Sequence, residues 1–459
     1  MATGSSRSDS NPTIISGAWL ASPGLGPTAS EAAAGHSIIA EGAVVVVDST
    51  IIDVGDRHEM ARRYPDAVTH HRPSSLLIPG MINAHAHLPM TMFRGLVDDI
   101  DLSAFLATVI PLEDAVLTAE TVSLATELAL VESFLAGVTS TLDMYFFHDA
   151  IFDVARRLGF RLFAGPILID PFPGPLVDGV VAADRVDRAT DWLSGRGDAG
   201  LGGGVVHAHS GYLTSPQMLE AAAELSDQFG VPLHVHAAES ADEVAQIRER
   251  FDASPIEHLA RHGCVSGRSV LAHCVHATAS EIELIAEAGA TVSHCPASNL
   301  GLASGVAPIP EMVRRGVNVA IGTDGPASSN NLDVRAAGRL AALLSKGTSG
   351  DATVLAADDL LARCTVGGAL AVGRGTDLGR LLPGYRADVV VVDLSGPHHL
   401  PVHEPVGSLF SCGQGSDVTD VWVDGIQRVR DRQVVGVDMP ALADRVSELG
   451  MHVRTKVAI

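Results

Sequence analysis

The chain has 459 residues, of which 46% are hydrophobic and 4% aromatic, and its formal net charge at pH 7 is -23. This length accommodates one large domain with a smaller one, or two or three domains. The acidic balance disfavours nucleic acids and anionic membrane surfaces as partners, because both are bound by clustered lysine and arginine side chains.

The cysteines and the first residues give expectations about the cellular compartment. The five cysteines include no C-x-x-C pair, which argues against a disulfide framework and for a reducing compartment such as the cytoplasm. Residues 1–11 are polar and serine-rich, lack the apolar core of a signal peptide, and are predicted to be a disordered tail. No apolar run reaches the roughly 20 residues that a membrane helix requires.

Both ends of the chain are predicted to be rich in strands. Runs of β-branched residues between turn residues indicate strands in residues 12–77 and again in residues 376–437. Neither region is large enough for a stable sheet alone, so together they are predicted to form one small β-sandwich domain. The alanine-rich residues 31–36 are ambiguous, and residues 438–459 are predicted to form a C-terminal helix.

Apolar runs and amphipathic stretches alternate between residues 78 and 375, which predicts alternating strands and helices. The predicted strands are residues 137–143, 161–164, 204–209, 232–236, 270–273, 290–294 and 317–321, and the predicted helices include residues 119–136, 215–229 and 280–288. With the strand before His85 they make eight strand–helix units over about 300 residues, the pattern of a (β/α)8 TIM barrel in the α/β class.

Polar side chains recur where the predicted barrel strands end. His85 and His87 end the first strand, and residues two apart on a strand point to the same face. His236, His273 and Asp324 end the fifth, sixth and eighth strands, which is where such barrels carry their active sites. A single histidine of this kind is more often structural. Together the five groups favour a metal site, and imidazole with carboxylate suits zinc.

The residues beside these groups add acid–base chemistry. Glu239 follows His236 by three residues and is a candidate proton carrier, the alternative being a solvated loop carboxylate. His273, at a strand end, could orient the metal-activated water. His276 is assigned a structural role.

Four motifs resemble those of a known family. They are residues 79–87, 90–99, 293–300 and 322–330. On these motifs the chain resembles the amidohydrolase superfamily over essentially its whole length. Within that superfamily it is similar to the deaminases of 5'-methylthioadenosine and S-adenosylhomocysteine.

The resemblance implies roles for the residues at the strand ends. One zinc ion per subunit is expected, with iron or manganese as alternatives, and its ligands would be His85, His87, His236 and Asp324. Glu239 and His273 would act on the activated water and the substrate ring, and Asp324 would relay a proton.

The positions of the lysines indicate whether the predicted site holds one metal or two. Many members of the superfamily hold two metals bridged by a carboxylated lysine on the fourth strand. This chain has two lysines, Lys346 and Lys456, and both lie outside the predicted strand ends. The sequence therefore favours a single metal.

The implied reaction is the hydrolytic deamination of an adenine nucleoside, in which metal-activated hydroxide attacks C6 of the ring and ammonia leaves. Glu113 matches the position that binds ribose hydroxyls, although a solvated carboxylate at a helix start is the alternative. His209 matches a substrate-contacting histidine. Phe105 and Met144 would form apolar walls of the site unless they simply pack in the core.

One position departs from the pattern of the resembled deaminases. Those that bind the homocysteine tail have an arginine after the third strand, where this chain has Pro166. Loss of a bidentate partner for the tail carboxylate weakens the case for S-adenosylhomocysteine. It favours 5'-methylthioadenosine, 5'-deoxyadenosine or adenosine.

Two other functions stay open on the sequence alone. The same site could serve a deaminase or hydrolase of another N-heterocycle, such as a pterin, 8-oxoguanine or an s-triazine. A non-catalytic amidohydrolase-like scaffold would be expected to lack metal ligands, and this chain keeps them. The expected partner is therefore a small aminated heterocycle, and the resemblance suggests a homo-oligomer.

Overall fold

Strands and helices alternate through most of the chain. The computed structural model describes residues 11–24, 38–170, 174, 176–195 and 201–457, so residues 31–36 and the predicted tail apart from residue 11 lie outside the described residues. The strands are β1 (Thr13–Ala21), β2 (Ile38–Ala40), β3 (Gly42–Val47), β4 (Thr50–Asp56), β5 (Val68–Pro79), β6 (Met81–Ala86), β7 (Val138–Asp143), β8 (Arg161–Ala164), β9 (Ile167–Leu168), β10 (Gly202–Gly204), β11 (Val206–Ser210), β12 (Leu233–Ala237), β13 (Ser269–His273), β14 (Thr291–His294), β15 (Asn318–Ile321), β16 (Val389–Asp393), β17 (Val418–Val423), β18 (Ile426–Arg430) and β19 (Gln433–Val434).

The α-helices match the amphipathic stretches of the sequence to within a residue or two where those were predicted. They are α1 (Arg57–Arg63), α2 (Leu102–Val116), α3 (Ala119–Leu135), α4 (His148–Leu158), α5 (Arg185–Gly195), α6 (Pro216–Phe229), α7 (Ala241–Phe251), α8 (Pro255–Arg261), α9 (Ala279–Ala288), α10 (Pro296–Gly301), α11 (Ile309–Arg314), α12 (Val334–Ser349), α13 (Ala357–Ala362), α14 (Gly368–Ala371), α15 (Pro405–Ser411) and α16 (Met439–Val457). Several begin at a serine, threonine or aspartate whose side chain accepts a backbone N–H, as Ser215 does for α6.

The strands β6 to β15 are the eight strands of a parallel barrel, because its third strand comprises β8 and β9 and its fourth comprises β10 and β11. The interruption follows from Gly165 and Pro166. Proline has no N–H to donate, and a Cβ on Gly165 would lie 2.1 Å from the carbonyl oxygen of Val205. Pairing continues across the break, since the N–H of Val205 donates to Ala164 O at 3.0 Å and that of His207 to Pro166 O at 3.2 Å.

The barrel closes between its last strand, β15, and its first, β6. The backbone N–H groups of Thr323 and Asp324, just after β15, both donate to the carbonyl of His85, at 3.1 and 2.9 Å. The predicted (β/α)8 barrel is therefore confirmed. The same closure brings the residue after the eighth strand beside the histidine of the first strand.

Strands from both ends of the chain form one further sheet of nine strands, in the order β19-β18-β17-β16-β5-β1-β3-β4 with β2 paired to β1. β5 from the first part pairs antiparallel with β16 from the last part. A bridge between Thr50 and Arg386 shows that the sheet curls back on itself, and Val44, Leu77 and Val389 are buried inside the curl. This is the small β unit expected from both chain ends; its limits at residues 12–77 and 376–437 stay a prediction.

A buried ion pair fastens this sheet to the barrel. Arg161, on β8, is fully buried, and its Nη2 lies 3.0 Å from Asp388 Oδ1 and 2.7 Å from Asp424 Oδ1. Both aspartates belong to the sheet side of the contact, just before β16 and just after β17. The two carboxylates compensate a charge that would otherwise be costly to bury.

Removing this arginine is expected to destabilise the protein strongly. The substitution Arg161→Ala leaves Asp388 buried without its partner, so we expect the free energy of unfolding to fall by about 3–5 kcal/mol. Urea denaturation followed by circular dichroism measures this change. The matched control is Arg156→Ala, which removes an exposed pair with Asp153. A loss of stability no larger than the control's would contradict the role of Arg161.

Length and apolar composition determine whether a helix of the described residues could span a membrane. None of these helices alone has the length and apolar composition that a membrane span needs. The pair α2 and α3 reaches them only when the two are taken together across a 117° bend.

Candidate metal centre and active site

The five polar groups predicted at strand ends meet at one end of the barrel. His85 lies on β6 and His87 one residue beyond its end, His236 lies on β12, His273 ends β13, and Asp324 follows β15. All five side chains are buried or nearly so. The barrel thus brings together residues that lie up to 239 positions apart, at the strand ends where such barrels carry their chemistry.

The candidate metal-binding atoms of four of these side chains lie close to one another. The Nε2 atoms of His85 and His87 lie 3.3 and 3.2 Å from Asp324 Oδ1, and the Nε2 atoms of His87 and His236 lie 3.3 Å apart. His85 Nε2 is buried and has no hydrogen-bond partner. Three imidazole nitrogens and one carboxylate oxygen at these separations are a donor set that suits a tetrahedral zinc ion.

In two of the imidazoles, the ring nitrogen that does not face the candidate metal position donates a hydrogen bond to a backbone carbonyl. The Nδ1–H of His87 donates to Met144 O at 2.5 Å, and the Nδ1–H of His236 donates to His209 O at 2.7 Å. With the proton on Nδ1, each ring keeps the Nε2 lone pair that a metal requires.

His85 is held by a histidine instead. Its Nδ1 lies 2.9 Å from His234 Nε2, and His234 Nδ1 lies 3.2 Å from His207 Nδ1. Burial lowers the pKa of His85 to about 4 and holds the pKa values of His234 and His207 well below their usual value. The barrel interior therefore contains a row of neutral imidazoles behind the candidate metal ligands. Sequence analysis assigned no role to His207 or His234.

In the centre, the positive charge of a protonated His87 is balanced by the negative charge of the Asp324 carboxylate. Burial disfavours protonation of His87, but the adjacent Asp324 raises its pKa to about 9. Burial likewise opposes ionisation of Asp324, but His85 and His87 hold its pKa well below its usual value. A cation held here by His85, His87, His236 and Asp324 would take the place of that proton, so metal binding would be coupled to proton release.

Asp324 is held in place by several neighbours. Ser298 Oγ and Ser328 Oγ donate to its Oδ2 at 2.5 and 3.2 Å, and the N–H of Gly325 donates to its Oδ1 at 2.7 Å. Its φ is 65°, and that of His273 is 73°, a left-handed conformation that is costly for residues other than glycine. The backbone strain and the two serines fix the direction of the carboxylate.

Glu239 and His273 form a second pair at the bottom of the cavity. Glu239 Oε2 lies 3.8 Å from His273 Nε2, and the Nδ1 of His273 lies 2.8 Å from Asn299 Oδ1. Burial raises the pKa of Glu239. Its backbone N–H donates to Glu243 Oε2 at 2.6 Å, while the N–H of Ala238 donates to Glu243 Oε1 at 3.1 Å.

The cavity beside these groups has a volume of about 210 Å³. The remaining predicted site residues all line it, namely Glu113, His209, Phe105 and Met144. Tyr145 also lines it and donates its hydroxyl to Glu113 Oε1 at 2.5 Å. Glu113 is buried and lies near the end of α2, so it is not the solvated helix-start carboxylate of the alternative interpretation. Its burial raises its pKa to about 7.

The position of Pro166 in the structure bears on the expected binding site for the homocysteine tail. Pro166 is buried at the strand break and is not among the residues that line the cavity, whereas its neighbours Ile167 and Ile169 are. Sequence analysis also assigned no role to Tyr145, Glu243 or Asn299. Asn299 lies within one of the motifs, residues 293–300, which was the only signal for it in the sequence.

Comparisons with known proteins match this chain over most of its length. The model of the amidohydrolase family matches residues 76–427, and that of a bacterial imidazolonepropionase-like composite domain matches residues 42–67. A 5-methylthioadenosine/S-adenosylhomocysteine deaminase of Syntrophobacter fumaroxidans is 35% identical over 417 residues, covering 90% of this chain and 94% of the relative. A 5'-deoxyadenosine deaminase of Methanopyrus kandleri is 36% identical over 375 residues, covering 81% and 85%.

A solved structure is similar over the same extent. The crystal structure of an adenosine deaminase from Xanthomonas campestris with bound zinc is 34% identical and superposes with a TM-score of 0.92, covering 96% of this chain and 98% of that one. The extent of the family match and the identity of these relatives lead to one conclusion: the chain belongs to the amidohydrolase family.

Proposed function

We propose that this chain is a zinc-dependent hydrolase that deaminates the adenine ring of a nucleoside at C6. The observation that carries the proposal is the convergence of three imidazole Nε2 atoms and the Asp324 carboxylate beside Glu239, at the bottom of one cavity. The names of the relatives, which are deaminases of adenosine and its 5'-modified forms, support the same reaction.

The proposed metal ligands are His85, His87, His236 and Asp324. When bound, a zinc ion activates water as a nucleophile by lowering its pKa. One ion per chain is proposed, because Lys346 and Lys456 lie in the helices α12 and α16 and not at a barrel strand end. No lysine is therefore placed to bridge two ions.

Glu239, His273 and Asp324 handle the protons. Asp324 accepts a proton from the attacking water, and Glu239 delivers one to the ring nitrogen next to C6, which makes that carbon electrophilic. His273, whose Nδ1–H donates to Asn299 Oδ1, presents the lone pair of its Nε2 to the attacking water, accepts a hydrogen bond from it and so orients it. The C6–N bond then breaks as the amino group takes up the proton held by Asp324, and the hydroxyl on C6 returns a proton to Glu239 as it becomes a carbonyl. Water and nucleoside thus give the hypoxanthine analogue and ammonia.

The cavity wall supplies the groups that hold the sugar and the ring. Glu113 accepts hydrogen bonds from the two ribose hydroxyls, and Tyr145 fixes its orientation through the 2.5 Å bond to Oε1. His209, which lies against the metal ligand His236 with ring centroids 4.9 Å apart, contacts the purine. Phe105 and Met144 are apolar walls of the same site.

A panel of substrates tests this function. The zinc-loaded protein is expected to release ammonia from at least one adenine nucleoside, measured by a coupled ammonia assay. The substitution Glu113→Gln should raise KM for nucleosides several-fold and leave KM for free adenine unchanged. An equal effect on both would favour a free-base substrate. No ammonia from any adenine nucleoside would contradict the proposed function.

The alternatives are less well supported. The relatives named above act, by their names, on adenine nucleosides and not on a pterin, 8-oxoguanine or an s-triazine. A non-catalytic scaffold would not be expected to keep every proposed metal ligand together with a buried Glu239.

The cellular setting is part of the same proposal. We place the protein in the cytoplasm, which is supported by the five unpaired cysteines. A homo-oligomer is proposed on the family resemblance alone. The divisions at residues 12–77 with 376–437, 78–375 and 438–459 are proposed as its domain limits.

A further inference from the structure

A second cluster of metal-binding side chains lies in the last part of the chain. His398 and His399 follow β16, in the segment that leads to α15, and Asp417 immediately precedes β17. One nitrogen of each imidazole and one oxygen of the carboxylate lie within 4.8 Å of one another. The described residues that line the catalytic cavity include none of these three, so the cluster is separate from the candidate active site.

The separations between these atoms suit the ligands of a single ion. His398 Nε2 lies 3.2 Å from each carboxylate oxygen of Asp417, and His399 Nε2 lies 3.1 Å from Oδ2. Two ligands that are each about 2.0–2.1 Å from a tetrahedral zinc ion lie about 3.3 Å apart. A hydrogen bond between an imidazolium and a carboxylate is usually shorter, about 2.7–2.9 Å. The observed separations are thus longer than such hydrogen bonds and within about 0.2 Å of the spacing of zinc ligands.

Neighbouring groups hold two of the three side chains in place. His399 Nδ1 lies 2.7 Å from Ser408 Oγ, and the N–H of Gln414 donates to Asp417 Oδ2 at 2.6 Å. When Nδ1 of His399 donates to the serine, the lone pair of its Nε2 faces the carboxylate, and a cation between the two removes their repulsion. Cys412 Sγ lies 3.9 Å from Nδ1, the ring nitrogen that does not face Asp417, so it is not among the proposed ligands.

The cluster is buried on one side and open to solvent on the other. His399 and Asp417 are buried, whereas the side chain of His398 is 30% exposed. An ion can therefore enter past His398, and water can complete its coordination. Two imidazoles with one carboxylate favour a borderline cation such as zinc over magnesium or calcium, which prefer oxygen ligands.

We propose that His398, His399 and Asp417 form a second zinc site, in addition to the single ion proposed in the barrel. An ion held there ties the segment after β16 to the start of β17. This site has three protein ligands, one of them partly exposed, so it binds zinc more weakly than the four-ligand centre and loses its ion first on dialysis. The proposal does not rest on the proposed deaminase function.

Calorimetric titration of the metal-free protein with zinc tests this site without relying on activity. His398→Ala removes a partly exposed ligand and should bind one zinc ion per chain fewer than the unmodified protein. The matched control is His403→Ala, which removes an exposed imidazole from the same segment and should bind as many ions as the unmodified protein. Equal numbers of ions in His398→Ala and the control would overturn the proposal and leave the proposed function intact.

Two further variants check the arrangement of the ligands. Ser408→Ala leaves all three ligands in place but frees the ring of His399, so the zinc affinity of this site should fall by about tenfold or more. Crystals of the zinc-loaded protein should show an anomalous-scattering peak between the two imidazoles and Asp417. The peak should be absent in Asp417→Asn, which keeps the shape of the side chain. No peak in the unmodified protein, or an undiminished peak in Asp417→Asn, would contradict the proposal.

Discussion

Replacing Glu239 with glutamine is expected to lower kcat for nucleoside deamination by about 10²–10⁴-fold, with zinc content unchanged. Glutamine has nearly the same shape and can still hydrogen-bond, but it cannot carry a proton to the ring nitrogen. Because the loss concerns a step of the reaction and not binding, KM should change much less than kcat. Steady-state kinetics on 5'-methylthioadenosine, with zinc per chain measured by atomic emission, gives both values.

The control for this variant is Glu220→Gln, which alters a carboxylate paired with His262 on the outside of the barrel. It should leave kcat and zinc content as in the unmodified protein. The environment of Glu239 explains the size of the expected effect. Burial raises its pKa, so the carboxyl holds a proton at pH values at which an exposed glutamic acid has lost it. A kcat within threefold of the unmodified protein would exclude Glu239 as the proton carrier.

Removing one metal ligand is expected to have an even larger effect. In His236→Ala one of three facing imidazoles is lost, so the protein should retain less than one zinc ion per chain after dialysis and show no measurable activity. A smaller loss of zinc affinity is expected for His234→Leu. This variant removes the partner of His85 Nδ1 and leaves every proposed ligand in place, so zinc affinity should fall by about 10–100-fold.

Competition with a chromogenic chelator measures these affinities without relying on turnover. Thermal unfolding adds an independent readout, because an ion that binds only the folded state raises its melting temperature. Zinc should raise the melting temperature of the metal-free unmodified protein and of the control His452→Ala, whose side chain is exposed on α16. If His236→Ala bound zinc as tightly as the control does, His236 would not be a ligand.

Much of the fold and of the metal centre could be predicted because the signals are local. His85 and His87 are two residues apart at the end of an apolar run, and that spacing alone places both on one face of a strand. The alternation of apolar runs and amphipathic stretches indicated the barrel. The barrel in turn implied that His236, His273 and Asp324 would meet at one end.

Other features depend on contacts between distant parts of the chain. His85 meets His234 across 149 positions, and Tyr145 meets Glu113 across 32. No local pattern marks either pair, since a buried histidine or tyrosine in a strand region looks like any other core residue. The break in the third barrel strand, which removes Pro166 from the cavity wall, was likewise not apparent from the apolar pattern.

The sequence by itself determined the expected kind of chemistry: the types of candidate ligand, their positions at strand ends, the candidate proton carrier Glu239 and the absence of a lysine from the predicted strand ends. These are properties of residue type and short-range spacing, which a chain carries whether or not it is folded. Only the tertiary structure decided the surroundings of the site. It showed which neighbours hold each imidazole, and it showed that the cavity is lined by apolar side chains of α2 and by carboxylates such as that of Glu113. Such features exist only once barrel closure brings α2, β9 and the strand ends around one volume.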